Sequence, residues 1–379
     1  MIFRSKRFQT ITFIIFLCMT CEVSGAPAGN SPDAYARSLL TSQHVPGAAI
    51  AVVRDGVVLK EIIFGSANLQ LGVPVQHATK FQLASVTKVF SVVALLKLEQ
   101  DGKLSLDDPV SKYLSALPKQ WGDVTLGELA THTSGLPDIV ASPNQPLSEA
   151  ELNRSADEAL RDAATRPVSA PPGARFQYDQ TNYLLLKRVI EHVSGQSFRQ
   201  FVTTRVLNPP MPETSWGDAR SIVPGRSDMY TALYHDRIEN GANLFQYPEY
   251  LDSAAGLNSN IADMEQFASL LTSGGLLSSS ELDRMWQPAR NRSGKIIDIS
   301  KDMELPGVAA PTAGWFYADN SGGRYPRVFM AGGSAASILV FPRQRLCIVV
   351  LTNLQAKDDP LPVAEGIAKF YLPDLQTLF

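Results

Sequence analysis

Two apolar runs, 47–53 and 57–67, are rich in small and β-branched residues and are parted by Asp55-Gly56. Runs of that length and composition predict strands, and Asp-Gly between them predicts the tight turn of a hairpin. A short helix is expected before them, at about 32–41. After Ser85 the pattern changes. Val89, Phe90, Val92, Val93, Ala94, Leu95, Leu96 and Leu98 are apolar almost all the way round a helical period, which predicts a helix buried on every side. Shorter helical stretches punctuated by Pro and Gly follow. Thr125 with Glu128 three residues on is a capping box, a helix over about 182–193 stops at Gly195, and another over about 260–272 ends before Gly274 and Gly275. Strand patterns return at 314–318, 327–330, 336–341 and 346–351, and a last helix covers about 361–371. The proline-rich stretch 137–146 and the segment 292–311 read as surface loops.

Strands at both ends with helices between them predict an α+β fold. One antiparallel sheet is built from the N- and C-terminal segments and flanked by helices, with a mainly helical region at about 103–255 inserted. At 379 residues, 45% hydrophobic and 19% charged, the chain suits one large domain or two tightly packed ones. A net charge of -3 without a long run of Lys and Arg argues against a nucleic-acid partner. The first 28 residues read as an export leader, with Arg4, Lys6 and Arg7 before the apolar stretch 11–19 and then Ser24, Gly25, Ala26 and Ala28. That stretch is too short for a membrane span, so residues 29–379 are expected as an exported chain, periplasmic or secreted, with no stable span. Cys18, Met19 and Thr20 before Cys21 do not fit the lipoprotein pattern, so no lipid anchor is expected.

With the leader removed, Cys347 is the only cysteine, which excludes an internal disulfide. It lies in an apolar strand pattern, where a thiol is ordinarily inert core. The histidines, His44, His77, His132, His192 and His235, show no metal-binding spacing, so neither a metal nor another cofactor is expected.

The chemistry-bearing feature is Ser85-Val86-Thr87-Lys88, at the head of the buried helix. Three residues apart on a helix, the two side chains share a face, so the lysine amine can hold or take the serine hydroxyl proton. Burial and the helix dipole both favour the neutral amine, the form that acts as a base. A helix-capping serine followed by a surface lysine has the same spacing, so the pair alone does not decide between the two. A Ser-His-Asp triad through His132 and Asp138 is disfavoured, because no G-x-S-x-G elbow occurs and 131–137 reads as a structural turn.

The surrounding motifs decide. Phe81-Gln-Leu-Ala-Ser-Val-Thr-Lys88, Gly102-Lys-Leu-Ser-Leu-Asp-Asp-Pro109, Thr131-His-Thr-Ser-Gly-Leu-Pro137, Ser253-Ala-Ala-Gly-Leu257 and Gly332-Gly333 follow one another in an order that resembles the serine β-lactamase-related hydrolases. That group holds class C β-lactamases, D-Ala-D-Ala carboxypeptidases, D-aminopeptidases and esterases, and the likeness runs from about Val45 to Asn353. The resemblance implies a β-lactamase/transpeptidase-like fold and an acyl-enzyme mechanism without a cofactor. Ser85 would be the nucleophile with Lys88 as its base. Tyr178, in the Y-x-N element Tyr178-Asp179-Gln180, would be the general acid/base. The K-T-G or H-x-G element falls on Met330-Ala331-Gly332, and the backbone N–H groups of Ser85 and Gly333 would form an oxyanion hole, although glycines there also suit a plain turn.

Two departures bear on the substrate, a small-molecule ester, amide or peptide. Gln180 replaces the family's asparagine and Met330 its lysine or histidine, so Gln180, Met330 and Gly332 would line a binding site altered from that of the relatives. A charge-assisted hydrogen bond to a substrate carboxylate contributes about 1.5–3 kcal/mol that Met330 cannot supply unless Arg324 or Arg327 takes its place. A carboxylesterase for uncharged acyl groups is therefore expected, with a β-lactamase or D-amino-acid peptidase as the alternative. A catalytically weakened module that binds cell-wall peptide or a protein is the alternative of another class.

Overall fold

The apolar runs at the two ends of the chain meet in one eight-stranded antiparallel sheet. In the computed structural model the described residues are 30–140, 147–218, 220–232, 238–241, 247–333, 335–355, 360–372 and 375. The expected leader at 1–28 lies outside them. The strands are β1 (Gly47–Arg54), β2 (Val57–Asn68), β3 (Val73–Pro74), β6 (Val308–Thr312), β7 (Trp315–Asp319), β8 (Arg327–Gly332), β9 (Ala336–Phe341) and β10 (Leu346–Thr352), while β4 (Phe81–Gln82) and β5 (Leu257–Ser259) pair with each other in a small separate sheet. The large sheet runs in the order β3-β2-β1-β10-β9-β8-β7-β6. The ends of the chain join where β1 pairs with β10, with Ala49 opposite Leu351. Asp55 and Gly56 make the β1–β2 turn with φ of 53° and 80°, as a hairpin of the favoured hand requires.

β10 is buried at every position and β1 at every position but Arg54. Such burial requires helices on both faces of a sheet. The C-terminal helix Leu361–Ala368 packs on β9 and β10 together with α1 (Pro32–Ser42), and Ile261–Ser273 packs on β1 and β10. The region between the sheet halves is mainly helical, including Leu126–Ala130, Ala156–Ala164 and Thr181–Ser194 around α2 (Thr87–Gln100), with short strand pairs among them. Among the described residues no helix is long and apolar enough to cross a membrane.

The two expected surface loops are buried in part. In 292–311, Ile297, Ile299 and Met303 are buried and the chain continues into β6. Pro311 is tolerated because β6 is an edge strand, where a missing N–H leaves no ladder bond unmade. In 137–146, Pro137, Ile139 and Val140 are buried. The Ile139 N–H donates to Thr181 Oγ1 at 2.8 Å, and that hydroxyl donates to the Pro137 carbonyl at 2.7 Å. The stretch is thus pinned beneath Thr181–Ser194, and its remainder, 141–146, lies outside the described residues.

Arg327 enters β8 at 1% exposure, with Nε donating to Glu365 Oε1 at 3.0 Å and Nη1 to Asn320 Oδ1 at 3.1 Å. A buried guanidinium is tolerated only while such partners remain. Glu365→Ala is expected to destabilise the fold by about 3 kcal/mol, read as a lower urea midpoint at unchanged m-value.

Candidate active site

Ser85 is not in the first turn of α2 but in the 3₁₀ turn just before it, Ala84–Val86. Ala84 has φ of 43°, a left-handed conformation that costs a non-glycine residue energy and that concentrates at functional sites. The turn still brings the pair together, with Lys88 Nζ 3.3 Å from Ser85 Oγ. The Tyr178 hydroxyl donates to the same oxygen at 2.9 Å. Three residues singled out in the sequence thus converge on one atom.

Lys88 has no exposed surface, and the chain spends several elements on holding its amine. Nζ donates to the Ala254 carbonyl at 3.1 Å and lies 4.8 and 5.2 Å from the ring centroids of Tyr178 and Tyr183. Ala254 belongs to the short helix Asp252–Ala255, which two further bonds clamp in place. Ser91 Oγ of α2 donates to the Ser253 carbonyl at 2.6 Å, and Ser253 Oγ donates to the Tyr183 carbonyl at 2.8 Å. Burial drives the Lys88 pKa down to about 7, against the pull of the Asp138 and Asp179 carboxyls. The amine is therefore close to half neutral at physiological pH.

Neither acidic group behaves as an ordinary carboxylate. Burial raises Asp138 to about 6 even though its Oδ1 accepts the N–H groups of Val140 at 2.9 Å and Gln180 at 3.0 Å. Burial, and then the neighbouring Asp138, hold Asp179 well above the carboxylate range, while its oxygens accept from the Asn182 N–H at 3.0 Å and Asn182 Nδ2 at 2.8 Å. Burial likewise raises the Tyr178 phenol, so it keeps its proton at neutral pH and serves as a donor to Ser85.

His132 takes no part in a triad. Its ring stacks on Tyr178 with centroids 4.3 Å apart, its Nδ1 accepts the Asp179 N–H at 3.3 Å, and burial pushes its pKa well below the ordinary value. The imidazole is neutral and supports the tyrosine ring. Asp138, with its two backbone N–H donors, is turned to Gln180 and Val140.

Gln180 caps Thr181–Ser194 through its backbone, and among the described residues its side chain bonds neither Lys88 nor another group. Gly332, at the end of β8, packs directly on the turn that carries Ser85. A Cβ there would meet the Leu83 carbonyl oxygen and lie 2.9 Å from the Ser85 nitrogen. Gly333 follows with φ of 54°, so the strand turns away just where it borders the Ser85 N–H. Met330, two positions back on the same strand face, is buried in the core at 2% exposure.

Sequence reasoning missed the Ala254 carbonyl and the Asp138–Asp179–Asn182 cluster. The one available signal for the cluster was an acidic residue inside the Y-x-N element, flanked by Asn182. Gly332→Ala is expected to displace the Ser85 turn and lower kcat/KM by about 100-fold or more, measured beside a melting curve that confirms a folded protein.

The profile of the beta-lactamase family matches residues 32–370. Protein flp of Staphylococcus aureus (strain COL) is 26% identical over 332 residues, 85% of this chain and 62% of that protein, so the chain spans under two thirds of that relative's length. A penicillin-binding protein from Bacillus halodurans superposes with a TM-score of 0.72 at 22% identity, covering 89% of this chain and 99% of that one. EstCE1, a hydrolase with promiscuous acyltransferase activity, superposes with a TM-score of 0.72 at 20% identity over 89% of this chain and 97% of its own. The β-lactamase/transpeptidase-like fold and the family match agree, and the chain belongs to the beta-lactamase family.

Proposed function

We propose that the protein is an exported carboxylesterase for esters with uncharged acyl groups, acting through an acyl-enzyme on Ser85. The observation that carries the acyl preference is the strand beside the nucleophile, where Met330, Ala331 and Gly332 offer no charge to a substrate carboxylate. Arg327 does not replace it, being held by Glu365 and Asn320. Arg324 lies in the exposed β7–β8 hairpin at the opposite end of β8 from Gly332, about 20 Å along the strand.

In this reading neutral Lys88 takes the Ser85 hydroxyl proton as Oγ attacks the ester carbonyl. The oxyanion is met by the N–H groups of Ser85 and Gly333. Tyr178 gives its proton to the departing alkoxide and is reprotonated by the Lys88 ammonium. Water then attacks the acyl-enzyme, giving a proton to the same pair, which passes it to the departing Ser85 Oγ as the acid is released. The leader at 1–28, with Arg4, Lys6 and Arg7 ahead of its apolar stretch, supports export.

The second reading, hydrolysis of a β-lactam or D-amino-acid peptide, draws on the likeness to a penicillin-binding protein. A weakened binding module is the third, motivated by Gln180 and Met330. A fluorophosphonate is expected to add once to wild type and not to Ser85→Ala, read by intact mass. p-Nitrophenyl butyrate is expected to turn over while nitrocefin does not. The reverse substrate preference overturns the esterase, and the lack of any adduct overturns the enzyme.

The pH profile tests the base. The active amine is the neutral form, so kcat/KM rises with pH through about 7 as Lys88 loses its proton. Asp138 favours the charged amine, so Asp138→Asn is expected to move that acidic limb to lower pH.

A further inference from the structure

Away from Ser85, three side chains from three elements converge. Glu61 lies on β2, His77 on the segment between β3 and β4, and Glu265 on the helix Ile261–Ser273. One ligand atom from each lies within 4.8 Å of the other two. His77 Nε2 is 2.9 Å from Glu61 Oε2 and 3.8 Å from Glu265 Oε2. Glu265 is over nine-tenths buried at 8% exposure, and its Oε1 is buried without a hydrogen-bond partner.

We propose that Glu61, His77 and Glu265 form a binding site for a divalent cation of the zinc type, independent of the hydrolytic site. The donor set, one imidazole nitrogen and two carboxylate oxygens, suits Zn²⁺, which takes such ligands tetrahedrally with a water in the fourth position. Bonds of about 2.0–2.2 Å place neighbouring ligand atoms about 3.3–3.5 Å apart. The 2.9 and 3.8 Å separations to His77 bracket that spacing, and all three ligand atoms lie within 4.8 Å of one another. Charge favours occupancy as well. A divalent ion would compensate the buried Glu265 carboxyl, whose Oε1 has no hydrogen-bond partner. The His77 side chain is 54% exposed, which leaves an entry path from solvent.

A cation held here ties β2 to the helix Ile261–Ser273 and to the segment leading into β4. β4 pairs with β5, Phe81 opposite Ser259, and leads within three residues to Ser85. The role is structural, a staple on the scaffold of the nucleophile turn. No histidine spacing in the sequence announces it, because the ligands come together only through tertiary packing.

Chelator-treated full chain titrated with Zn²⁺ alone by calorimetry is expected to bind one equivalent and to melt at a higher temperature when loaded. His77→Ala and Glu265→Gln are each expected to weaken binding at least about tenfold, while Ser85→Ala leaves it unchanged. The half-exposed His77 makes the first variant safe for folding, and metal-free melting curves check the second. No saturable binding overturns the site, as does binding equal to wild type in both ligand variants. A Zn²⁺-independent rise in melting temperature in Glu265→Gln, with no binding to wild type, identifies a proton-sharing cluster and overturns it too.

Discussion

A primary amine placed where water cannot reach it is the constraint around which the rest is arranged. The desolvation of Lys88 costs several kilocalories per mole if the charge is kept, and the protein meets that cost partly by letting the charge go. A helix buried on all sides around Lys88 keeps water from Nζ, and α2 is buried from Thr87 to Leu96 while three other segments close on it. The Ala254 carbonyl, the rings of Tyr178 and Tyr183 and the Ser85 hydroxyl occupy the directions from which water would otherwise solvate the amine. The serine is one wall of the enclosure that makes its neighbour basic.

The acidic residues decide how far that neutralisation goes. Were Asp138 and Asp179 both ionised, two negative charges would hold the proton on Lys88. Burial instead raises Asp179 well above the ordinary carboxylate range, which disfavours its charged form, and Asn182 binds its oxygens without bringing a charge. Asp138, with two backbone N–H donors, is the easier of the two to ionise and therefore the one that tunes the amine. His132 adds shape without charge, since its Nδ1 is an acceptor and its ring is neutral. The cluster is polar but close to charge-balanced, as a buried network must be.

Local chemistry made much of this legible in the sequence. Asp55-Gly56, the Thr125–Glu128 box, Gly195 and Gly274 each act within a few residues, and the structure has a turn, a capped start and two left-handed helix ends there. The spacing of Ser85 and Lys88 was readable for the same reason. What lay hidden depends on contacts between distant segments. Pro311 ends a segment that reads as loop, yet the sheet order places it on an edge strand. Asp138 sat in a proline-rich stretch that reads as surface, yet Thr181, more than forty residues away, pins that stretch beneath a helix. The Ala254 carbonyl has no side-chain signature at all. The 3₁₀ geometry at Ser85 escaped because no residue type marks a helix that begins two positions late.

Along a strand, successive side chains alternate between faces, so Arg327 shares a face with Phe329 and Ala331, while Val328, Met330 and Gly332 share the other. Gly332 abuts the Ser85 turn, so the even-numbered face is the one that looks toward Ser85. Arg327 is therefore on the wrong face, and its bond to Glu365 on the C-terminal helix is where that face leads. A one-residue slip of β8 would bring it round, but Met330 opposite Ile338 and Gly332 opposite Ala336 fix the register. A cation that restored recognition of a substrate carboxylate from this strand would have to stand at position 330 itself, and there the chain carries a buried methionine.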